Sequence, residues 1–225
     1  MSNVTYEYIK QNKEIQTYIN HADAALDSIG FTEHSNAHVE RAAATAKMIL
    51  QTLGYSEKEC ELAQIAAYMH DIGNTINRND HAQSGAVMAF FLLNKMGMPA
   101  DEIALIISAI GNHDEGTASP VNPIAAALII GDKSDVRRSR VRASGRNAQG
   151  LYGDVHDRVN YACESSKVFF TEDKKDIILD LKIDGKISSI MEYFEIFTDR
   201  MILCGKAAEA LGIIFRLVIN DSRIM

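Results

Sequence analysis

Histidines and aspartates stand at points where the apolar pattern predicts burial. His70 and Asp71 are adjacent and follow the apolar segment that contains Leu62 and Met69, while Asp132 follows the apolar run that begins at Ile124. Burial of an imidazole or a carboxylate costs free energy unless something pairs with it, and a divalent transition-metal ion binds both ligand types. The pattern therefore indicates a metal site. Taken singly, each histidine is equally well explained as a capping or solvated group.

Each candidate comes from a different predicted helix. Apolar spacing, caps and glycine stops predict helices over 35–53, 56–71, 80–97, 99–113 and 122–136, and the last is apolar almost all round. Along the chain these helices carry, in turn, His38, His70 with Asp71, His81, His113 and Asp132. Five helices that each supply a metal-binding side chain favour a common site over separate capping roles.

The rest of the chain predicts two parts. One further helix is predicted over 4–29, so residues 1–150 are expected to form an all-α bundle. Beyond them, alternating apolar residues predict strands over 167–170, 177–183 and 213–219, with a long helix over 187–211. The predicted fold is therefore mainly α: a helical domain over 1–150 followed by a small α+β appendage over 151–225, built on a three-strand sheet.

The ordered set of candidate ligands resembles the HD-domain superfamily of metal-dependent phosphohydrolases. His70-Asp-Ile-Gly73 is similar to the signature of that family, and Gly131-Asp-Lys-Ser-Asp135 resembles its closing aspartate segment. His81 and His113 resemble the two extra histidines of its dinuclear subgroup, which includes diadenosine tetraphosphate hydrolases of the YqeK type. The resemblance covers residues 30–140. Asn74 departs from it, because the family often has a lysine there, and the Gly-Tyr-Pro element of cyclic-dinucleotide phosphodiesterases has no clear counterpart.

The resemblance implies a site for two divalent metal ions. His38, His70, Asp71 and Asp132 would hold one ion, and Asp71, His81 and His113 the other, so that the catalytic Asp71 would bridge them. Nitrogen and oxygen ligands without thiolate suit Fe, Mn, Co, Ni or Zn. The implied activity is hydrolysis of a phosphoester or phosphoanhydride bond of a small metabolite, a nucleotide or dinucleotide, by metal-activated water.

Basic residues close to Asp132 are candidates for substrate binding. Lys133 is a candidate for phosphate binding and for assistance to the leaving group. Arginines 137, 138, 140, 142 and 146 form a cluster in an otherwise acidic chain, and the arginine fork binds phosphate oxygens. We expect Arg137 and Arg138 to lie nearest the metals; a solvated basic loop is the alternative for any one of them. Asp135 and Asp80 are expected to orient ligating histidines.

The overall composition of the chain argues against some classes of binding partner. Among 225 residues the net charge is −7 and aromatic content is 7%, which argues against a nucleic-acid polymer or a membrane surface as partner. No apolar run is long enough to span a bilayer, and the N-terminus does not resemble a signal peptide. Three isolated cysteines suit a reducing cytosol, so a cytoplasmic protein is expected. The apolar strand over 213–219, if it forms a sheet edge, favours a homodimer.

Two other functions are compatible with the same ligands. Dinuclear iron in this arrangement supports oxygenase chemistry in some members of the superfamily. Alternatively, the protein could be regulatory and bind a ligand without turnover. The presence of every candidate ligand disfavours this last interpretation, since binding alone does not require an open metal pair.

Overall fold

The computed structural model describes residues 4–142 and 155–225. Arg146 and the predicted loop glycines 145, 150 and 153 lie outside the described residues. The α-helices are α1 Tyr6–Gln11, α2 Lys13–Ser28, α3 Asn36–Thr52, α4 Glu57–Met69, α5 His81–Lys95, α6 Ala100–Gly111, α7 Pro123–Lys133, α8 Val155–Ala162 and α9 Ile190–Ala210. Short 3-10 helices cover Ile72–Thr75 and Arg138–Arg140. The mainly helical fold predicted from the sequence is confirmed.

The prediction of one continuous helix over 4–29 is wrong. The structure divides the segment 4–29 at Asn12, whose extended backbone ends α1 and whose side chain accepts hydrogen bonds from the backbone of Glu14 and Ile15. A side-chain oxygen that caps the next helix satisfies amide donors that a continuous helix would have used internally. The apolar spacing runs across this break, which is why periodicity alone predicted one helix.

Helix α7 occupies the centre of the helical part. Asn122 caps it and Pro123 takes its first position, as the sequence predicted. Every residue of α7 after Pro123 is buried, and the helix packs against α3, α4, α6 and α9. At Gly131 the backbone of α3 comes so close that an added Cβ would lie 2.7 Å from the carbonyl oxygen of Ala42. This contact brings the C-terminal end of α7, with Asp132, against the helix that carries His38.

The C-terminal residues form a four-strand sheet, so the prediction of three strands is wrong. The strands are β1 Cys163–Phe170, β2 Asp176–Ile183, β3 Ile214–Ile219 and β4 Ser222–Arg223, in that spatial order. β2 pairs with β3 in parallel and with β1 antiparallel. The two-residue β4 lacks any apolar pattern to reveal it and covers the end of β3 at Val218 and Ile219. The edge on which the expected homodimer depends is therefore partly covered.

Helix α9 joins the two predicted parts. This helix packs against both α7 and β3. The buried face of β2 contributes Ile177, Leu179 and Leu181 to the same apolar core. Described residues on both sides of the predicted boundary near residue 150 thus belong to one hydrophobic core. None of the described helices combines the length and the apolar character that a membrane crossing requires.

Candidate metal centre

Five helix ends or first turns bring the predicted ligands together. His38 lies in the first turn of α3, and His70 and Asp71 follow α4 directly, with Asp71 preceding the 3-10 turn. His81 begins α5 after Asp80, whose backbone adopts the left-handed conformation (φ 56°) that turns the chain into the helix. The end of α6 is followed by His113, and Asp132 lies in the last turn of α7. All six side chains are buried.

The first group of short distances surrounds His38 and His70. Asp132 Oδ1 lies 3.2 Å from His38 Nε2 and 3.6 Å from His70 Nε2. Asp71 Oδ2 lies 3.7 Å and 3.1 Å from the same two nitrogens. Two imidazoles and two carboxylates therefore face one small volume, which is the geometry expected of ligands that share an ion.

The second group lies on the other side of Asp71. Its Oδ1 atom is 3.5 Å from His81 Nε2, and that nitrogen is 3.2 Å from His113 Nε2. Ligand atoms in three sets could hold an ion because they lie within 4.8 Å of one another: His38, His70 and Asp71; His70, His113 and Asp132; and Asp71, His81 and His113. Asp71 thus faces both halves with different oxygens, an arrangement in which one carboxylate could serve two ions.

In each of these histidines a hydrogen bond at Nδ1 leaves Nε2 facing the centre. His70 Nδ1 lies 2.7 Å from the carbonyl oxygen of Ala67, His113 Nδ1 lies 2.6 Å from that of Ile110, and His81 Nδ1 lies 3.0 Å from that of Arg78. A carbonyl oxygen only accepts, so Nδ1 carries the proton and Nε2 presents its lone pair inward. His38 is held in the same way by Asp135 Oδ2, at 2.8 Å.

Three inward-facing atoms are buried without a hydrogen-bond partner among the described residues: His38 Nε2, His70 Nε2 and Asp71 Oδ2. A buried polar atom without a partner costs free energy, and few native groups are left in that state. Their convergence on one volume fits a divalent cation, which would accept all three lone pairs. The donor set of imidazole and carboxylate is the one that Zn, Fe and Mn use in proteins.

The titration of the cluster reflects its negative charge. Burial alone would lower the pKa of His70, but the carboxylates of Asp71 and Asp132 raise it to about 10. Burial would raise the pKa of Asp71, yet His70 holds it well below its usual range. Burial lowers the pKa of His113 and of His81 despite the carboxylates nearby, which keeps both imidazoles neutral at pH 7. Ionised carboxylates and neutral imidazoles are the forms that bind metal, so an ion at this centre would displace the proton that His70 otherwise holds at neutral pH.

Comparison with known proteins agrees with this geometry. Residues 37–148 match the HD domain family. This segment belongs to the HD-domain family. A solved structure titled as a predicted HD superfamily hydrolase, from an uncultured Thermotogales bacterium, is 26% identical, covers 58% of this chain and 73% of its own, and superposes with a TM-score of 0.44. No protein of curated function matches the sequence. The family and the cluster together support a metal-dependent hydrolase.

Lys133 lies beside the centre of this HD domain rather than open to solvent. Its Nζ atom is 2.8 Å from Asp132 Oδ2 and 3.4 Å from Glu115 Oε1, and the side chain is only 5% exposed. These contacts favour a role in holding Asp132 over direct contact with a substrate. Asn74, where the family often has lysine, donates from its amide nitrogen to Asp71 Oδ1 at 2.9 Å and so helps to orient that carboxylate.

A cavity of about 460 Å³ lies beside the HD centre, lined by residues of both predicted parts. His34, whose ring centroid is 5.5 Å from that of His38, and Arg78, whose Nη1 is 3.3 Å from His81 Nε2, connect it to the metal-ligand cluster. Helices α8 and α9 contribute the opposite wall, which includes His156 and Arg200. Sequence reasoning missed Arg78, although its position three residues before His81 was a usable signal.

The arginines predicted to bind phosphate are not the ones that line the cavity. Arg137 Nε lies 2.9 Å from Asp135 Oδ1, and Arg138 Nε donates to the carbonyl oxygen of Tyr161 at 2.6 Å. Neither lines the cavity, whereas Arg140 does. The prediction that Arg137 and Arg138 bind the phosphate therefore gains no support from the cavity, which Arg140 lines in their place because the side chains of Arg137 and Arg138 are held by Asp135 and by Tyr161.

Proposed function

We propose that the protein is a metal-dependent phosphohydrolase that acts on a small phosphorylated metabolite, a nucleotide or dinucleotide in preference to others. The observation that carries this proposal is the convergence of three buried ligand atoms, from His38, His70 and Asp71, beside an arginine-lined cavity; none of the three has a hydrogen-bond partner in the described part of the chain. Six ligand side chains that divide around Asp71 support two ions rather than one, with Fe or Mn as suitable identities.

The residues of the centre would have distinct roles in such a reaction. Divalent ions held in this centre would lower the pKa of a water and neutralise negative charge on the phosphoryl oxygens. Asp71 would hold the two halves in register through its separate oxygens. Lys133 keeps Asp132 ionised, since its charge lowers the pKa of that carboxyl well below the usual range despite burial.

The cavity has the properties that a nucleotide requires. Its volume of about 460 Å³ lies within the range of small-molecule sites. Phe31, Ile29 and Ile196 offer apolar surface for a base, while Arg78 and Arg140 offer positive charge for phosphate. The wall also contains carboxylates, so recognition of phosphate depends on where the arginines stand and not on the net charge of the cavity.

We expect Asp135→Asn to weaken metal binding by about 10-fold to 100-fold, the usual effect of losing a partner that orients a ligand. Burial alone would raise the pKa of Asp135, but the hydrogen bond from His38 and the charge of Arg140 lower it, so the group is ionised at neutral pH. Asparagine would keep the shape and lose the charge that holds His38. Titration of the apoprotein with Mn²⁺ measures the change, and Asp176→Asn, which alters an ion pair of the sheet with Arg216, provides the control.

Phosphate release from a panel of nucleoside mono-, di- and triphosphates and dinucleoside polyphosphates tests the proposal. The Mn²⁺-loaded protein should hydrolyse at least one member, and a chelator should abolish the activity. Oxygen consumption by the iron-loaded protein without phosphate release would instead favour the oxygenase alternative. Ligand binding without either reaction would favour the regulatory one, and both results would contradict phosphohydrolysis.

A further inference from the structure

Arg200 lies on α9, outside the segment 37–148 that matches the HD domain, and yet its side chain lines the cavity beside the metal-ligand cluster. The guanidinium carbon stands 4.7 Å from the centre of the Phe197 ring on the preceding turn of the same helix. An arginine supported against an aromatic face loses less freedom when it binds a ligand. The C-terminal unit therefore presents a fixed positive charge to the HD site.

The hydrogen-bonding capacity of Arg200 is largely unused. Its Nε atom forms an ion pair with Glu115 Oε1 at 2.6 Å, although Glu115 Oε1 has no partner with hydrogen-bond geometry within the ranges 4–142 and 155–225. In those same ranges no acceptor is aligned with the guanidinium of Arg200. By contrast, Arg140 already donates to two backbone carbonyls, those of Glu33 and Asp135. Apart from Nε, which pairs with Glu115, the donors of Arg200 are thus open to a ligand.

A line of alternating charges connects Arg200 to the metal-ligand cluster. Glu115 Oε1 lies 3.4 Å from Lys133 Nζ, which in turn lies 2.8 Å from Asp132 Oδ2. Glu115 thus contacts a cation on each side, and the side chain of Arg200 stands three contacts from a candidate metal ligand. An anion that lies between the cluster and α9 would meet the guanidinium at close range.

We propose that Arg200 binds an anionic phosphate group of the substrate, so that the C-terminal unit supplies part of the substrate recognition of this HD protein. This inference rests on the proposed phosphohydrolase function. The guanidinium fork matches two phosphate oxygens, and a partly enclosed site strengthens the charge-assisted hydrogen bonds. A phosphate group there would compete with Glu115 for the fork and leave Glu115 to pair with Lys133.

The experiment measures inorganic phosphate binding to the Mn²⁺-loaded protein by calorimetry, with metal content determined in parallel. We expect Arg200→Ala to weaken phosphate binding about 10-fold or more, the effect of losing a charge-assisted hydrogen bond. Arg200→Lys should recover part of the loss, because it keeps the charge without the fork. Arg216→Ala is the matched control: Arg216 is also about one-quarter exposed, at 24% against 25%, and its Nε also pairs with a carboxylate.

The outcomes separate this inference from the proposed function. Weaker phosphate binding in Arg200→Ala with unchanged metal content, and wild-type binding in Arg216→Ala, support the role of Arg200. Wild-type affinity in Arg200→Ala overturns that role and leaves the phosphohydrolase proposal intact. Loss of metal from Arg200→Ala overturns it as well, since the side chain would then act on the centre and not on the substrate. Failure of the unaltered, metal-loaded protein to bind phosphate contradicts both.

Discussion

Replacement of Asp71 by asparagine is expected to reduce phosphate release by about 10³-fold or more, because metal-ion catalysis contributes several kcal/mol and each 1.36 kcal/mol is a factor of ten. Asp71 turns Oδ2 towards His70 Nε2, at 3.1 Å, and Oδ1 towards His81 Nε2, at 3.5 Å. Asparagine fills the same space, but it carries no charge and offers one oxygen in place of two. The two halves of the centre would lose their common ligand.

Metal content and phosphate release, measured on the same preparation, check this prediction. Asp180→Asn is a suitable control, because Asp180 also has a buried oxygen without a hydrogen-bond partner among the described residues but lies in the sheet, on β2. We expect that control to retain both metal and activity. If Asp71→Asn keeps full activity with metal excluded from the buffer, Asp71 does not hold the catalytic ions.

Gly73→Ala is expected to destabilise the protein by about 3 kcal/mol or more, at the upper end of the cost of overpacking. An added Cβ would lie 2.0 Å from the carbonyl oxygen of His81 and 2.5 Å from the backbone nitrogen of Gly85. Backbone atoms cannot rotate away as a side chain can. The alanine would therefore push the 3-10 turn after Asp71 away from α5, and with it one half of the metal centre from the other.

Urea unfolding monitored by circular dichroism measures the loss, and Gly205→Ala controls for the substitution itself. Gly205 lies within α9 with nothing within 4 Å of an added Cβ. Alanine in a helix interior is favoured over glycine by roughly 0.5–1 kcal/mol, so this control should be neutral or slightly stabilising. Equal stability of Gly73→Ala and the unaltered protein would mean that the contact between the turn and α5 is looser than described here.

The metal centre was more predictable from sequence than the substrate cavity, for a physical reason. His70, Asp71 and Asp132 stand beside apolar segments that predict burial, and a buried ligand-type side chain carries its own signal. Substrate residues have no such signal. Whether Arg138 or Arg140 reaches the cavity depends on which distant backbone carbonyls hold each side chain, and the approach of Arg200 depends on how α9 packs against α7.

The C-terminal part shows the same limit at the level of the fold. The alternation of apolar residues from Ile177 to Ile183 revealed β2, because one face of that strand is buried. Strand β4 is two exposed residues, held by pairing with β3 alone, and no pattern could indicate it. The sequence likewise predicted the long helix α9 but not that its buried side would share a core with the helical bundle.

Metal content per chain, determined by elemental analysis of protein purified without chelator and again after incubation with Mn²⁺ or Fe²⁺, tests the central claim most directly. The geometry around Asp71 predicts about two ions per chain, with both lost on treatment with a chelator. One ion per chain would restrict the centre to one half of the cluster and remove the bridging role of Asp71. A chain that binds no metal even in excess Mn²⁺ or Fe²⁺ would contradict the catalytic account.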